Sequence, residues 1–136
     1  MKTYFDTGAL IGLVMASHPG HAGCLAQFEA AKDRLTCGHA LAETFASLNS
    51  HFKVPNEVAA ELTLSLLERE NFRVEALSIE DYKATISEAK QRGVMGGGIY
   101  DSLHATFARR RGAKRIVTLN GGDFRHVAPD LEIVSP

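Results

Sequence analysis

The chain of 136 residues is 45% apolar and 23% charged with a net charge of -1, the profile of one ordinary globular domain over residues 1–136. This excludes a disordered chain, and no apolar run approaches the roughly 18–20 residues of a membrane helix. Near-neutral charge gives the whole molecule little attraction for nucleic acid, so any such binding requires a local basic patch.

Met1-Lys2 leads directly into a strand pattern without a signal-peptide core, which predicts a cytoplasmic protein. Residues 2–5 read as the first strand, with Asp6-Thr7 capping an apolar helix over 8–16. Pro19 fits the first turn of a helix over 19–32, with Ala22, Leu25, Ala26, Phe28 and Ala30 as its apolar positions. Residues 34–37 form a second strand. Cys24 and Cys37 lack C-x-x-C spacing and suit buried free thiols better than a disulfide.

Residues 39–52 carry Leu41, Phe45, Leu48 and Phe52 at helical spacing, which predicts a core-facing stripe with Glu43 off it. Pro55 restarts a helix to about residue 71, with Val58, Leu62, Leu66 and Leu67 on one side, and the two helices pair as a hairpin. A strand over 72–77 follows. Ser78 and Asp81 then resemble a capping box for a helix reaching Arg92, which Gly93 ends. Gly96-Gly97-Gly98 connects to a helix over 100–111 that Gly112 stops, and residues 115–119 and 131–134 are the last strands. Strands alternating with helices and helix pairs predict an α/β fold, a three-layer α/β/α sandwich around a mainly parallel sheet of about four to five strands.

Four acids fall where this order brings them to one sheet edge. Asp6 ends the first strand, Glu43 lies shortly after the second, Asp101 opens a helix, and Asp123 follows the strand ending near Leu119. Each has an ordinary explanation: an N-cap for Asp6, an exposed helix position for Glu43, a first-turn acid for Asp101, a turn former after Gly121-Gly122 for Asp123. Placed together, two carboxylates about 4 Å apart repel by roughly 4 kcal/mol at an effective dielectric of 20. Several such pairs rival a whole domain's stability of about 5–15 kcal/mol, so the cluster must bind cations, protonate or separate through water. All-oxygen ligands favour Mg²⁺ or Mn²⁺ over zinc.

The stretches FDTGALIGL at 5–13, HALAETFASL at 39–48, GGGIYDSLHATFA at 96–108 and IVTLNGGDF at 116–124 resemble, in order and spacing, the PIN-domain nucleases, especially VapC-type toxins of bacterial toxin–antitoxin pairs. The resemblance runs through nearly the whole chain. It implies a metal-dependent endoribonuclease that leaves a 5′-phosphate and a 3′-hydroxyl, using Mg²⁺ or Mn²⁺ held by Asp6, Glu43, Asp101 and Asp123. Asp6, Glu43 and Asp101 form the expected ligand core, and Asp123, on a Gly-flanked loop, is expected to join when substrate is present. Thr7, Thr118 and Asn120 match polar positions near that site, the two threonines as donors to carboxylates or water and Asn120 as a guide for Asp123; helix capping and turn formation explain them equally well. An antitoxin partner and a homodimer are further implications. The resemblance also leaves open a housekeeping RNA-processing nuclease.

Other readings remain beside this one. Arg109, Arg110, Arg111, Lys114 and Arg115 place five cations within seven residues, either an RNA-binding patch or a solvated helix end that suits the helix dipole. His18, His21 and Cys24 offer zinc-type ligands at three-residue spacing, against which Pro19 and Gly20 break the helix start. His104 and His126 each follow a proposed acid by three residues and could stand beside the cleft. The start Asp6-Thr7-Gly8 lacks the second acid that haloacid-dehalogenase-like enzymes carry, and no P-loop is present. A non-catalytic protein-binding domain is also compatible, its acids receiving a basic segment, with Leu10, Leu13, Val14, Leu25 and Phe28 lining a groove or filling the core.

Overall fold

Tyr4 and Phe5 point to opposite faces of the first strand, and each face gathers its own aromatic cluster. In the computed structural model, which describes residues 1–136, Phe5 meets Phe28 and Phe72 with ring centroids 5.2 and 6.4 Å away. Tyr4 packs on Phe107 at 5.9 Å on the other side. A strand buried on both faces is the mark of a parallel sheet covered by helices on each side.

The elements run β1 (Lys2–Phe5), α1 (Thr7–Val14), α2 (His21–Ala30), β2 (Asp33–Cys37), α3 (His39–Ser50) and α4 (Asn56–Ser65), with a short 3-10 turn at Leu66–Glu68. They continue with β3 (Phe72–Glu75), α5 (Ile79–Arg92), α6 (Gly98–Arg110), β4 (Arg115–Val117), α7 (Gly121–Val127) and β5 (Glu132–Val134). All five strands are parallel, in the order β3-β2-β1-β4-β5. Register places Tyr4 opposite Leu35 on one side and Ile116 on the other.

Right-handed crossovers decide which face each helix covers. The chain moves from β1 through β2 to β3 in one direction, so α1 to α4 share a face; it then returns to β4 and β5, so α5 to α7 cover the other. The strand order reverses between β1 and β4, and the crevice outside the carboxyl ends at that reversal is where such sheets bind ligands.

Local chemistry sets several boundaries as expected. Ser78 accepts from the Asp81 amide at 3.1 Å while Asp81 accepts from the Ser78 amide at 2.8 Å, a complete capping box. Gly93 ends α5 with a left-handed φ of 68°. Cys24 and Cys37 are buried and free.

Three expectations need correction. In α3 the buried positions are Ala40, Thr44 and Leu48, whereas Phe45 is exposed; small side chains let this helix pack closely. In α4 and the following turn the buried side is Ala59, Thr63 and Leu66, with Val58 and Leu67 exposed. The Gly121-Gly122 segment is not a loop but the start of α7, because Asn120 begins a helix that buries Phe124 and Val127.

Candidate metal centre

Asp6 occupies the first position beyond β1, next to the strand-order reversal. Its backbone N–H donates to the Val117 carbonyl of β4, and its Oδ1 accepts from the Ala9 amide at 2.9 Å as the N-cap of α1. Thr118, at the end of β4, donates to Asp6 Oδ2 at 2.5 Å and its Oγ1 also accepts from the Asn120 amide. Thr118 is fully buried and Asp6 only 6% exposed. Burial raises the Asp6 carboxyl above its ordinary pKa, partly offset by the hydrogen bonds from Thr118 and Ala9.

Glu43 reaches the same edge from the second turn of α3. Thr7 donates to its Oε1 at 3.0 Å, and His104 Nε2 stands 2.7 Å from the same oxygen. Burial opposes ionisation of Glu43, but the hydrogen bond and charge of His104 outweigh it and hold the carboxyl below its ordinary range. His104 lies on the buried side of α6, with Nδ1 2.5 Å from the Tyr4 hydroxyl and 3.8 Å from Cys37 Sγ. Burial disfavours the imidazolium, yet hydrogen bonds to Cys37 and Glu43 prevail and push His104 up to about 10. In the sequence, only the three-residue spacing from Asp101 suggests that His104 could stand beside the cleft; nothing there points to this network.

Asp101, in the first turn of α6, is the electrostatic hub. Burial raises its carboxyl, the His104 charge lowers it, and the Asp123 and Glu43 charges raise it further, with no hydrogen-bond donor among the groups acting on it. Asp123 is exposed in the first turn of α7 and accepts from Asn120 Nδ2 at 2.8 Å. A cleft of about 290 Å³ joins Asp101 and Asp123 to Val94, Met95, Gly98, His126 and Val127. A Cβ at Gly121 would stand 2.2 Å from Ser135 Oγ, so a larger residue there requires the exposed Ser135 and Arg125 side chains to turn aside.

The four acids thus lie along one edge, with the Asp101 charge raising Asp6 and the Asp123 and Glu43 charges raising Asp101. No three His, Cys, Asp or Glu side chains close around a single point. The donor set is all oxygen, and a cation would relieve the repulsion that raises Asp101. This fits a hard divalent ion bound through one or two carboxylates and retained water rather than a closed protein cage.

The other candidate residues go elsewhere. Arg109 pairs with Asp130 and Glu88, Arg110 and Arg111 with Asp81, and Arg115 with Glu132, leaving Lys114 exposed. Arg109, Arg110 and Arg111 stand at the end of α6 opposite Asp101, about 12–15 Å away along the helix axis. His18 Nδ1 accepts from the Gly20 amide and His21 Nδ1 bonds the Gly12 carbonyl, so they serve the loop and α1 rather than a zinc ion. Leu10, Leu13 and Phe28 are core, with Val14 and Leu25 half-buried against it.

Comparison with solved structures shows the same fold at low identity. VapC20 of Mycobacterium tuberculosis, described as a sarcin-ricin loop cleaving toxin, superposes with a TM-score of 0.76 at 16% identity, over 90% of this chain and 92% of that one. A chain in the structure of VapBC2 from Rickettsia felis, bound to a DNA fragment from their promoter, gives 0.71 at 19% identity over 98% of each. VapBC-1 from nontypeable Haemophilus influenzae gives 0.66 at 20% identity over 99% of this chain and 98% of that one. No curated protein sequence matches. The PIN domain family model matches residues 3–129, nearly the full length, and with the sheet, its reversal point and the acidic edge in place the chain belongs to the PIN domain family.

Proposed function

We propose that the protein is a divalent-metal-dependent endoribonuclease acting as the toxin of a toxin–antitoxin pair. The observation that carries this reading is the convergence on Asp101, whose carboxyl feels Asp123 and Glu43 while Asp6 feels Asp101 in turn. Acids gathered around Asp101 at a strand-order reversal disfavour its charged form, a cost that a bound cation would offset.

When bound, Mg²⁺ or Mn²⁺ supplies acidification of water and neutralisation of charge on the phosphodiester. Asp6 and Asp101 would hold the ion, with Asp6 kept in place by Thr118 and the Ala9 amide. Thr7 and His104 occupy Glu43 Oε1, which leaves Oε2 to accept from a ligand. Asn120 holds one oxygen of Asp123 at the cleft, where an RNA phosphate would enter. The toxin role draws support from the similar structures, which are described as VapC, VapBC and FitAB molecules. A cognate antitoxin, a homodimer and action in the cytoplasm belong to the same reading; no helix is long and apolar enough to cross a membrane.

The test is cleavage of RNA by purified, antitoxin-free protein. Cleavage is expected with Mg²⁺ or Mn²⁺, absent with chelator, and lost in Asp6→Asn and Asp101→Asn. Asn is itself a good N-cap, so Asp6→Asn preserves the start of α1 while removing the charge. Equal cleavage by these folded variants removes the proposed centre. Growth arrest on expression, relieved by co-expressing the neighbouring small gene, separates a toxin from a housekeeping nuclease.

A further inference from the structure

Just outside the acidic cleft, the rings of His39 and Tyr100 lie nearly parallel, 9° apart with centroids 5.9 Å from each other. His39 opens α3 one turn before Glu43, and its Nε2 is 3.8 Å from Glu43 Oε1. Tyr100 immediately precedes Asp101 in α6. Both rings reach solvent, Tyr100 at 51% exposure and the His39 side chain at 33%. Neither lines the cleft that contains Asp101. Neighbouring residues of a helix point about 100° apart, so Tyr100 and Asp101 serve different sides of one turn.

Charge makes this pair informative. An acidic centre repels the phosphates that flank the one under attack, the chain carries a net charge of -1, and four of the five cations in the basic run are committed to internal carboxylates. That basic run therefore offers little phosphate pairing, which gives weight to contacts of another kind. Aromatic faces supply such contacts, because every base has a π-face.

We propose that His39 and Tyr100 form a stacking platform for an unpaired nucleobase of the RNA, next to the nucleotide whose phosphate sits at the carboxylates. The proposal rests on the ribonuclease reading and adds a subsite to it. Tyr100 offers its exposed face to the base, and His39 backs the ring from α3, tying the platform to the helix that carries Glu43.

The experiment uses the full chain carrying Asp101→Asn to prevent cleavage, in Mg²⁺. Its probes are a fluorescent single-stranded RNA oligonucleotide of mixed sequence and the same oligonucleotide with abasic positions, read by anisotropy. Adding Tyr100→Phe is expected to leave binding unchanged, and adding Tyr100→Ala to weaken it about tenfold, the scale of one stacked base. Abasic RNA is expected to bind the parent as weakly as the Ala variant binds normal RNA, with the Ala variant indifferent to base removal. The platform is overturned if Tyr100→Ala binds both probes as the parent does, if it weakens both equally, or if the parent binds neither. Cleavage by the unmodified protein is scored separately. Base-dependent binding without metal-dependent cleavage removes the nuclease reading alone, whereas cleavage with binding indifferent to Tyr100 removes the platform alone.

Discussion

His104 Nε2 lies 2.7 Å from Glu43 Oε1, a tie between the buried side of α6 and the exposed edge of α3. The imidazole is 3% exposed and also meets Tyr4 of β1 and Cys37 of β2, so one side chain couples Glu43 to the two central strands. Glu43 is therefore aimed before any ligand arrives.

His104→Leu removes that donor and leaves Glu43 with Thr7. A loss of about 1–3 kcal/mol is expected for stranding a partly buried acceptor, measured by urea unfolding. RNA cleavage is expected to fall and to need more Mn²⁺, with partial recovery in His104→Gln, which retains an N–H. A Leu variant with parental stability and parental metal requirement would remove His104 from this role.

Asp101→Asn separates folding from chemistry. Burial and the charges of Asp123 and Glu43 disfavour the Asp101 carboxylate, so its neutral replacement is expected to melt at the same temperature as the metal-free parent or higher. Added Mn²⁺ is expected to stabilise the parent, by about 2.7 kcal/mol at a hundredfold excess over Kd, and EDTA to reverse this. Thermal melts with and without metal check it, and an equal metal shift in the variant argues against Asp101 as a ligand.

Asp81 makes the clearest pH prediction. Its fully buried carboxylate accepts from Arg111 and Arg110, whose side chains remain 22% and 41% exposed. The hydrogen bond from Arg111, more than any other cause, holds this carboxyl well below its ordinary range. A depressed carboxyl contributes stability above its unfolded pKa of about 3.9 and loses it as pH falls from there toward the folded value. Asp81→Asn is expected to cost about 3 kcal/mol, the low end for breaking a buried pair because both arginines reach water. Urea midpoints of parent and variant should converge as pH drops below about 4; a constant gap would contradict the ion pair as the cause.

Gly12 and Cys24 mark where α1 and α2 touch. A Cβ at Gly12 would stand 2.6 Å from Cys24 Sγ, so Gly12→Ala is expected to cost about 1–3 kcal/mol through overpacking. Combining it with Cys24→Ala should recover part of the loss, a non-additivity that a double-mutant cycle reads directly. Additive losses would place the strain elsewhere.

Features that rest on local chemistry were legible from the chain alone: the Ser78–Asp81 box, the stop at Gly93 and the strand–helix alternation that brings Asp6, Glu43 and Asp101 to one edge. Features set by distant partners were not. Large apolar residues of α3 drew attention to Phe45, whereas close packing selected Ala40 and Thr44. The arginines of α6 suit either an RNA-binding patch or a solvated helix end in the chain alone, because Asp81, Glu88 and Asp130 lie 21 or more positions away. The spacing from Asp101 could put His104 beside the cleft, but its partners are not legible in the chain, since Tyr4, Cys37 and Glu43 come from three other elements.

The acids differ in how firmly they are held, and that division works like a vice. Asp6 and Glu43 form a fixed jaw, each locked by two donors from different elements. Asp101 and Asp123 form the looser jaw: the first follows three consecutive glycines and has no donor, the second has one exposed amide. Hydrogen bonds of the folded chain therefore fix the first pair before any ligand is present, and leave the carboxylate oxygens of the second pair with a single donor between them.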